Sequence, residues 1–246
     1  MSSLSSDTLI NPQDLFDITV AGTANTGGVF ADGATLGCLA TTGDGRYFRY
    51  INAGAVALVP GQLQQSVAEV TANERLAIAA AAAGTFSVTT TSAITTTAGQ
   101  YVGGYLQVAT TPGQGYSYQI VGHTVVTSAV CTFTLGDPIV VALTTGSTVS
   151  IVPSPWSNVI VNPTTATGTI VGAAVAATPA TYYGWVQTKG PACVLAQGTI
   201  VVGEEVAASS TTAGAVVATS GVLASVGYAI QGITATQYGP IFLNIS

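Results

Sequence analysis

The stretch YSYQIVGHTVVTSAVCTFTL, Tyr116 to Leu135, decides the fold. It is built from Tyr, Val, Ile and Thr, residues that suit a pleated, half-buried surface. The neighbouring pieces repeat the pattern: TFSVTTTSAITTT (85–97), YVGGYLQVAT (101–110), PIVVAL (138–143) and STVSIV (147–152). Gly, Pro and Asp turns separate them at short intervals, so 71–152 reads as a β-rich subdomain of about five to seven short strands. Working outward, NVIVNPTTATGTIVGAAVAA (158–177) and everything after it is again strand and turn.

Upstream, DITVAGTANTGGVFADGATLG (17–37) is punctuated by Gly, Thr and Asn, and 1–40 reads as an extended N-terminal arm. Pro60-Gly61 fits a type II turn, because Pro presets φ and Gly takes the positive φ. One stretch, QLQQSVAEVTANERLAIAAAAAG (62–84), gathers the helix formers Glu69, Glu74 and Arg75 and ends in Gly84. The short pieces around it favour loop, strand and turn instead. An internal echo links YFRYINAGAVALVPGQL (47–63) to YGWVQTKGPACVLAQGTI (183–200). Two readings fit it: related hairpins pairing in one sheet, or chance similarity in a chain of few residue types. The expected architecture is all-β, a β-sandwich or barrel-like core of the jelly-roll or a related kind. Residues 41–70 and 153–246 form that core, 71–152 is an inserted or second subdomain, and 1–40 is the arm.

Composition narrows the function classes. Charged residues make up 6% of the 246-residue chain, against roughly 25% in ordinary soluble domains. Hydrophobic residues reach 48%, which argues against disorder. The longest apolar run, Leu76 to Ala83, falls well short of the ~20 residues a membrane-spanning helix needs. The N-terminus MSSLSSDTLINPQDLFD has no basic start and no apolar core of a signal peptide, so synthesis and folding in the cytosol are expected. Net charge is −6 with Lys189 the single lysine, which excludes nucleic acid and disfavours membrane surfaces as partners.

No residue set supports catalysis, and no cofactor or metal is expected. His123 is the single histidine and lies in a β run without a GxSxG elbow. Cys38, Cys131 and Cys193 are far apart and read as buried thiols rather than zinc ligands. Glu204 and Glu205 are adjacent, so on a strand they face opposite ways and cannot flank one bond. Asp32, Asp44 and Asp137 sit in turn contexts.

The informative cluster is GRYFRY, Gly45 to Tyr50. Strand alternation puts Arg46, Phe48 and Tyr50 on one face and Tyr47, Arg49 and Ile51 on the other. Neither face is cleanly apolar or polar. Arginine and aromatics are the types enriched at binding hot spots. With Trp185 added, Arg46, Tyr47, Phe48, Arg49 and Tyr50 are the expected interface residues. The alternative is that an arginine pairs with Asp32 or Asp44 and covers a barrel end.

The segments GRYFRYINAGAVALVPGQLQQS, VGGYLQV, LGDPIVVAL, PTTATGTIVGAAVAATPATYYGWVQTKGPACVLAQGTIVVGEEV and VGYAIQGITATQYGPIFLNI carry a resemblance covering most of the chain from Gly45 onward. They resemble virion structural proteins of tailed bacteriophages, cyanophage-like ones in particular, that act as capsid decoration or cement proteins. The resemblance implies a β-rich homotrimer seated on the outer capsid surface, with the major capsid protein as partner and no enzymatic activity. A tail-associated or host-recognition module is the alternative, binding glycans on Trp156, Trp185 or Tyr182 as stacking platforms.

Overall fold

The computed structural model describes residues 8–9, 35–219, 221 and 224–245. The fold is all-β, with antiparallel sheets curled into half-barrels. The described residues fall into two compact units. One comprises 8–9, 35–68 and 155–245, and the other 69–154. The first is therefore assembled from both flanks of the second. The arm expected over 1–40 lies mostly outside the described residues. Within it Thr8–Leu9 runs parallel to Ala40–Thr41.

In chain order the first flank supplies β1 (Thr8–Leu9), β2 (Leu39–Thr41), β3 (Tyr47–Asn52) and β4 (Leu63–Gln65). The inserted unit supplies β5 (Leu76–Ala77), β6 (Ser87–Thr89), β7 (Ile94–Thr96), β8 (Tyr105–Val108), β9 (Ser117–His123), β10 (Val126–Ala129), β11 (Thr132–Leu135) and β12 (Thr148–Val152). The second flank supplies β13 (Ile160–Val161), β14 (Ile170–Ala174), β15 (Tyr183–Leu195), β16 (Glu205–Ala208), β17 (Val216–Ala218), β18 (Ser225–Ala229) and β19 (Tyr238–Asn244).

The flanking unit has one large sheet in the order β1-β2-β3-β15-β19-β18-β16-β17, with β4, β13 and β14 joining beside β15. The 13-residue β15 is its spine. Its first half pairs with β3, Trp185 opposite Tyr50, and its second half with β19, Pro191 opposite Phe242. The two echoing segments thus do lie in one sheet, as direct neighbours. The core beneath holds Leu63, Val194, Ile241 and Leu243 in one cluster and Ile51, Leu58, Val171 and Val186 in another. Burying each such side chain fully contributes about 1.5–3 kcal/mol.

The inserted unit has its own core and a sheet in the order β5-β12-β8-β9-β11-β6, plus the β7–β10 ribbon. Phe133, Leu106, Ile120 and Val149 are fully buried in it. The stretch that looked partly helical contains only a 3-10 turn, Thr71–Asn73. Its alanines have no apolar stripe of helical period to bury, so extended pairing wins. Ile78 bridges Thr90 and Ala81 bridges Leu143.

One small motif recurs in both units. A buried or half-buried residue, a turn, and then a strand follow one another at Leu58, Thr178, Ile200, Ile233, Ala81 and Leu143. These residues pair off two by two and exchange reciprocal backbone hydrogen bonds. Ile200 and Ile233 each donate to the other at 2.9 Å, Leu58 and Thr178 at 2.8 and 3.2 Å, and Ala81 and Leu143 at 3.0 and 2.8 Å. In every copy the same turn bond closes, as in Gln62 N–H to Val59 O and Glu204 N–H to Val201 O. The third turn residue has positive φ in five of the six: Gly61, Gly84, Gly203, Thr181 and Thr236. The amides of those five donate across to the partner segment, Gly61 to Ala174 O and Thr181 to Gly54 O in the first pair. Each pair therefore has local twofold character.

Candidate functional site

The arginine–aromatic cluster sits where β2, β3 and β15 meet. Phe48 is fully buried, packed with Ala40, Val175 and Trp185. Tyr50 is also buried, 4.9 Å from Trp185 and stacked on Tyr183 at 6.1 Å between ring centroids. These two side chains build the core of this chain. Arg46, Tyr47, Arg49 and Trp185 remain half-buried.

Each cation in the cluster is engaged inside the chain. Arg46 Nε meets Asp44 Oδ2 at 2.8 Å, and its guanidinium lies 5.5 Å from the Phe48 ring centroid. Arg49 donates to Gly37 O at 2.9 Å and lies 5.5 Å from the Trp156 ring. Lys189 lies 5.4 Å from the Tyr47 ring. Hydrogen bonds from the Thr42 hydroxyl, then from Arg46, hold the Asp44 carboxyl below its ordinary pKa. This arrangement ties the β2–β3 turn to the sheet. Trp156, also considered as a glycan platform, is packed under Arg49 and partly buried. Trp185 and Tyr182 are half-buried.

His123, Tyr101 and Cys131 are occupied structurally. His123 Nδ1 lies 3.0 Å from Thr124 O and Nε2 accepts from Tyr101 N–H at 3.3 Å, so both ring nitrogens are used. Tyr101 is buried with its hydroxyl bonded to Asn73, and burial pushes its pKa up. Cys131 is buried beside Thr124 O, as the sequence reading had it. Cys193 departs from that reading and is exposed, and Cys38 is half-buried. Glu69 and Glu74 approach each other, and the hydrogen bond that protonated Glu69 donates to Glu74 raises the Glu69 pKa, but both side chains are in open solvent. Among the described residues no three His, Cys, Asp or Glu side chains gather as metal ligands.

The most unusual surface was not singled out in the sequence. It is the outward face of β15, β19 and β18. Register places Pro191, Phe242 and Tyr228 side by side across the three strands, with Cys193 beside Pro240 and Leu195 beside Tyr238 along the next rows. Tyr228 and Phe242 stack at 5.1 Å with ring planes 7° apart. Tyr228, Ile230 and Tyr238 are 45%, 41% and 47% exposed. A groove of about 400 Å³ borders this face, lined by Arg46, Pro60, Ala174, Gln187, Cys193 and Tyr238. Its amide donor is already committed, since Gln187 Nε2 bonds Lys189 O and Pro191 O at 3.0 and 2.8 Å. The arrangement offers apolar contact area beside the exposed Cys193 thiol.

The signal for this face was present in the sequence. In YGPIFLN, residues 238–244, both alternating sets are apolar: Tyr238, Pro240 and Phe242 against Gly239, Ile241 and Leu243. Such a run is the pattern of a strand covered on both faces. No protein-family model, curated protein or solved structure matches the chain.

Proposed function

We propose that this chain is a non-enzymatic virion structural protein that decorates the outer capsid surface. It bridges neighbouring major capsid subunits as a homotrimer and stabilises the shell. The observation that carries this reading is the pairing of 6% charged residues with a broad exposed apolar sheet face. A freely diffusing protein relies on charged surface for solubility, and a large exposed apolar patch marks an interaction surface. A protein whose surface is covered in a shell needs neither extra charge nor a polar sheet face. Three linked subunits on a shell also gain avidity beyond any one contact.

The test is incubation of the recombinant full chain with expanded empty heads of the same phage, followed by cryo-EM. Binding at many equivalent lattice positions is expected. No density on the heads would overturn the reading, and a dozen or fewer copies at one vertex would point to a tail-associated role.

A further inference from the structure

We propose that the outward face of β15, β19 and β18 is covered by further copies of this same chain, arranged around a common axis. The face has the anatomy of an interface core. Eight residues, Pro191, Cys193, Leu195, Tyr228, Ile230, Tyr238, Pro240 and Phe242, carry no charge and include three aromatics. Depletion of charge with enrichment of aromatics is what distinguishes the centre of a protein interface. An antiparallel sheet with one solvated face normally alternates apolar-in with polar-out. The inserted unit interleaves Gln107, Ser117, Gln119 and Thr134 with Tyr105, Val121 and Val152 on its exposed side. The eight residues of the flanking face have no Gln, Ser or Thr among them.

The charges at the rim name the occupant. Lys189 lies on β15, in register with Asn244 of β19 and Tyr47 of β3, and on the same side of the strand as Pro191. Glu205 lies on β16, in register with Tyr228, on the other side of the apolar patch. Three strand spacings separate β15 from β16, about 14 Å in all. One exposed cation and one exposed anion thus flank an uncharged centre. When copies turn this face toward a shared axis, the β15 side of the patch on each meets the β16 side of the patch on the next, and every Lys189 comes to a Glu205. A heterologous contact of this kind closes into a ring when its rotation divides the circle. The surface is self-complementary in charge, whereas a partner of one sign would satisfy only one rim. The proposal stands independently of attachment to a capsid. Under the trimer reading the ring has three members.

The experiment is sedimentation of the full chain at about 10 μM, before any capsid is added. A discrete ring mass is expected for the native sequence. Lys189→Glu weakens association about tenfold or more by facing Glu205 with a like charge, and the double variant Lys189→Glu, Glu205→Lys restores it. Tyr228→Lys, at a position 45% exposed, also gives single chains with an unchanged circular dichroism spectrum. A monomeric native protein overturns the proposal. So does a native-like ring in both single variants, or a double variant no better than Lys189→Glu. Head binding lost while the ring persists would assign the face to the capsid protein instead, and a ring that never binds heads would remove the capsid reading but leave this one.

Discussion

The two larger sheets of this protein solve the same folding problem and then present different surfaces. In the inserted unit the buried side of β8 and β9 holds Leu106, Val108, Tyr118 and Ile120, and the outer side mixes Gln107, Ser117 and Gln119 with Tyr105 and Val121. In the flanking unit β19 buries Ile241 and Leu243 and presents Tyr238, Pro240 and Phe242 outward. Burial of the inner side stabilises each fold, so the outer side is free to differ. The difference therefore reports what each surface meets rather than what holds it together.

The sharpest way to break that comparison is to attack each inner side. Phe133→Ala empties the centre of the inserted unit's core and should cost about 3–5 kcal/mol, measured by urea denaturation. Since Phe133 packs within the cluster confined to 69–154, hydrogen exchange in β15 and β19 should stay slow. Fast exchange there would show the cores are coupled. In the flanking unit, Gly227→Ala should cost about 2–3 kcal/mol, because a Cβ there would overlap the Phe242 carbonyl at φ +155°. Its effect should spread through β18 and β19 and dismantle the apolar face.

Arg49→Ala should cost about 1–2 kcal/mol of fold stability, from the lost bond to Gly37 O and the lost Trp156 contact. Unchanged stability would return Arg49 to a docking role. Thr236→Gly should raise stability by about 0.5–1 kcal/mol, because a β-branched residue at φ +63° occupies a position where Gly61, Gly84 and Gly203 sit in equivalent turns. The smallest effects are those of pH, and they separate the units. Asp44 has a depressed pKa, so its contribution is present above the ordinary carboxylate value and fades as pH falls through the depressed one. Tyr101 has a raised pKa, so its neutral form favours folding below the ordinary tyrosine value, and that contribution fades as pH rises through the raised one. Denaturation followed across pH should show the flanking unit losing stability in acid and the inserted unit losing it in alkali.

How much of this was legible depends on whether the deciding contacts are local. The all-β character was, because Thr, Val, Ile and Tyr between close turns leave no helical stripe. The turn at Pro60-Gly61 was too, with Gly61 at φ +73°. Within the arginine cluster the alternation of faces could be read but not which faces are covered. Phe48 and Tyr50 are buried because β3 is paired on one edge with β2 and on the other with β15, some 135 residues away. The outward face of β19 was missed for a different reason. Its doubly apolar pattern was visible, but the register that lines Phe242 up with Pro191 and Tyr228 joins strands from separate parts of the chain.

The reciprocally bonded turns carry a consequence for how such a chain can grow. Leu58 and Thr178 are nearly fourfold further apart in sequence than Ile200 and Ile233, yet they close the same handshake. Lengthening a closed loop by two doublings costs only about 1 kcal/mol of chain entropy. A clasp of this kind tolerates an entire folding unit threaded between its two hands, which makes the 68/69 and 154/155 junctions natural points for exchanging the cargo while leaving the clasp intact.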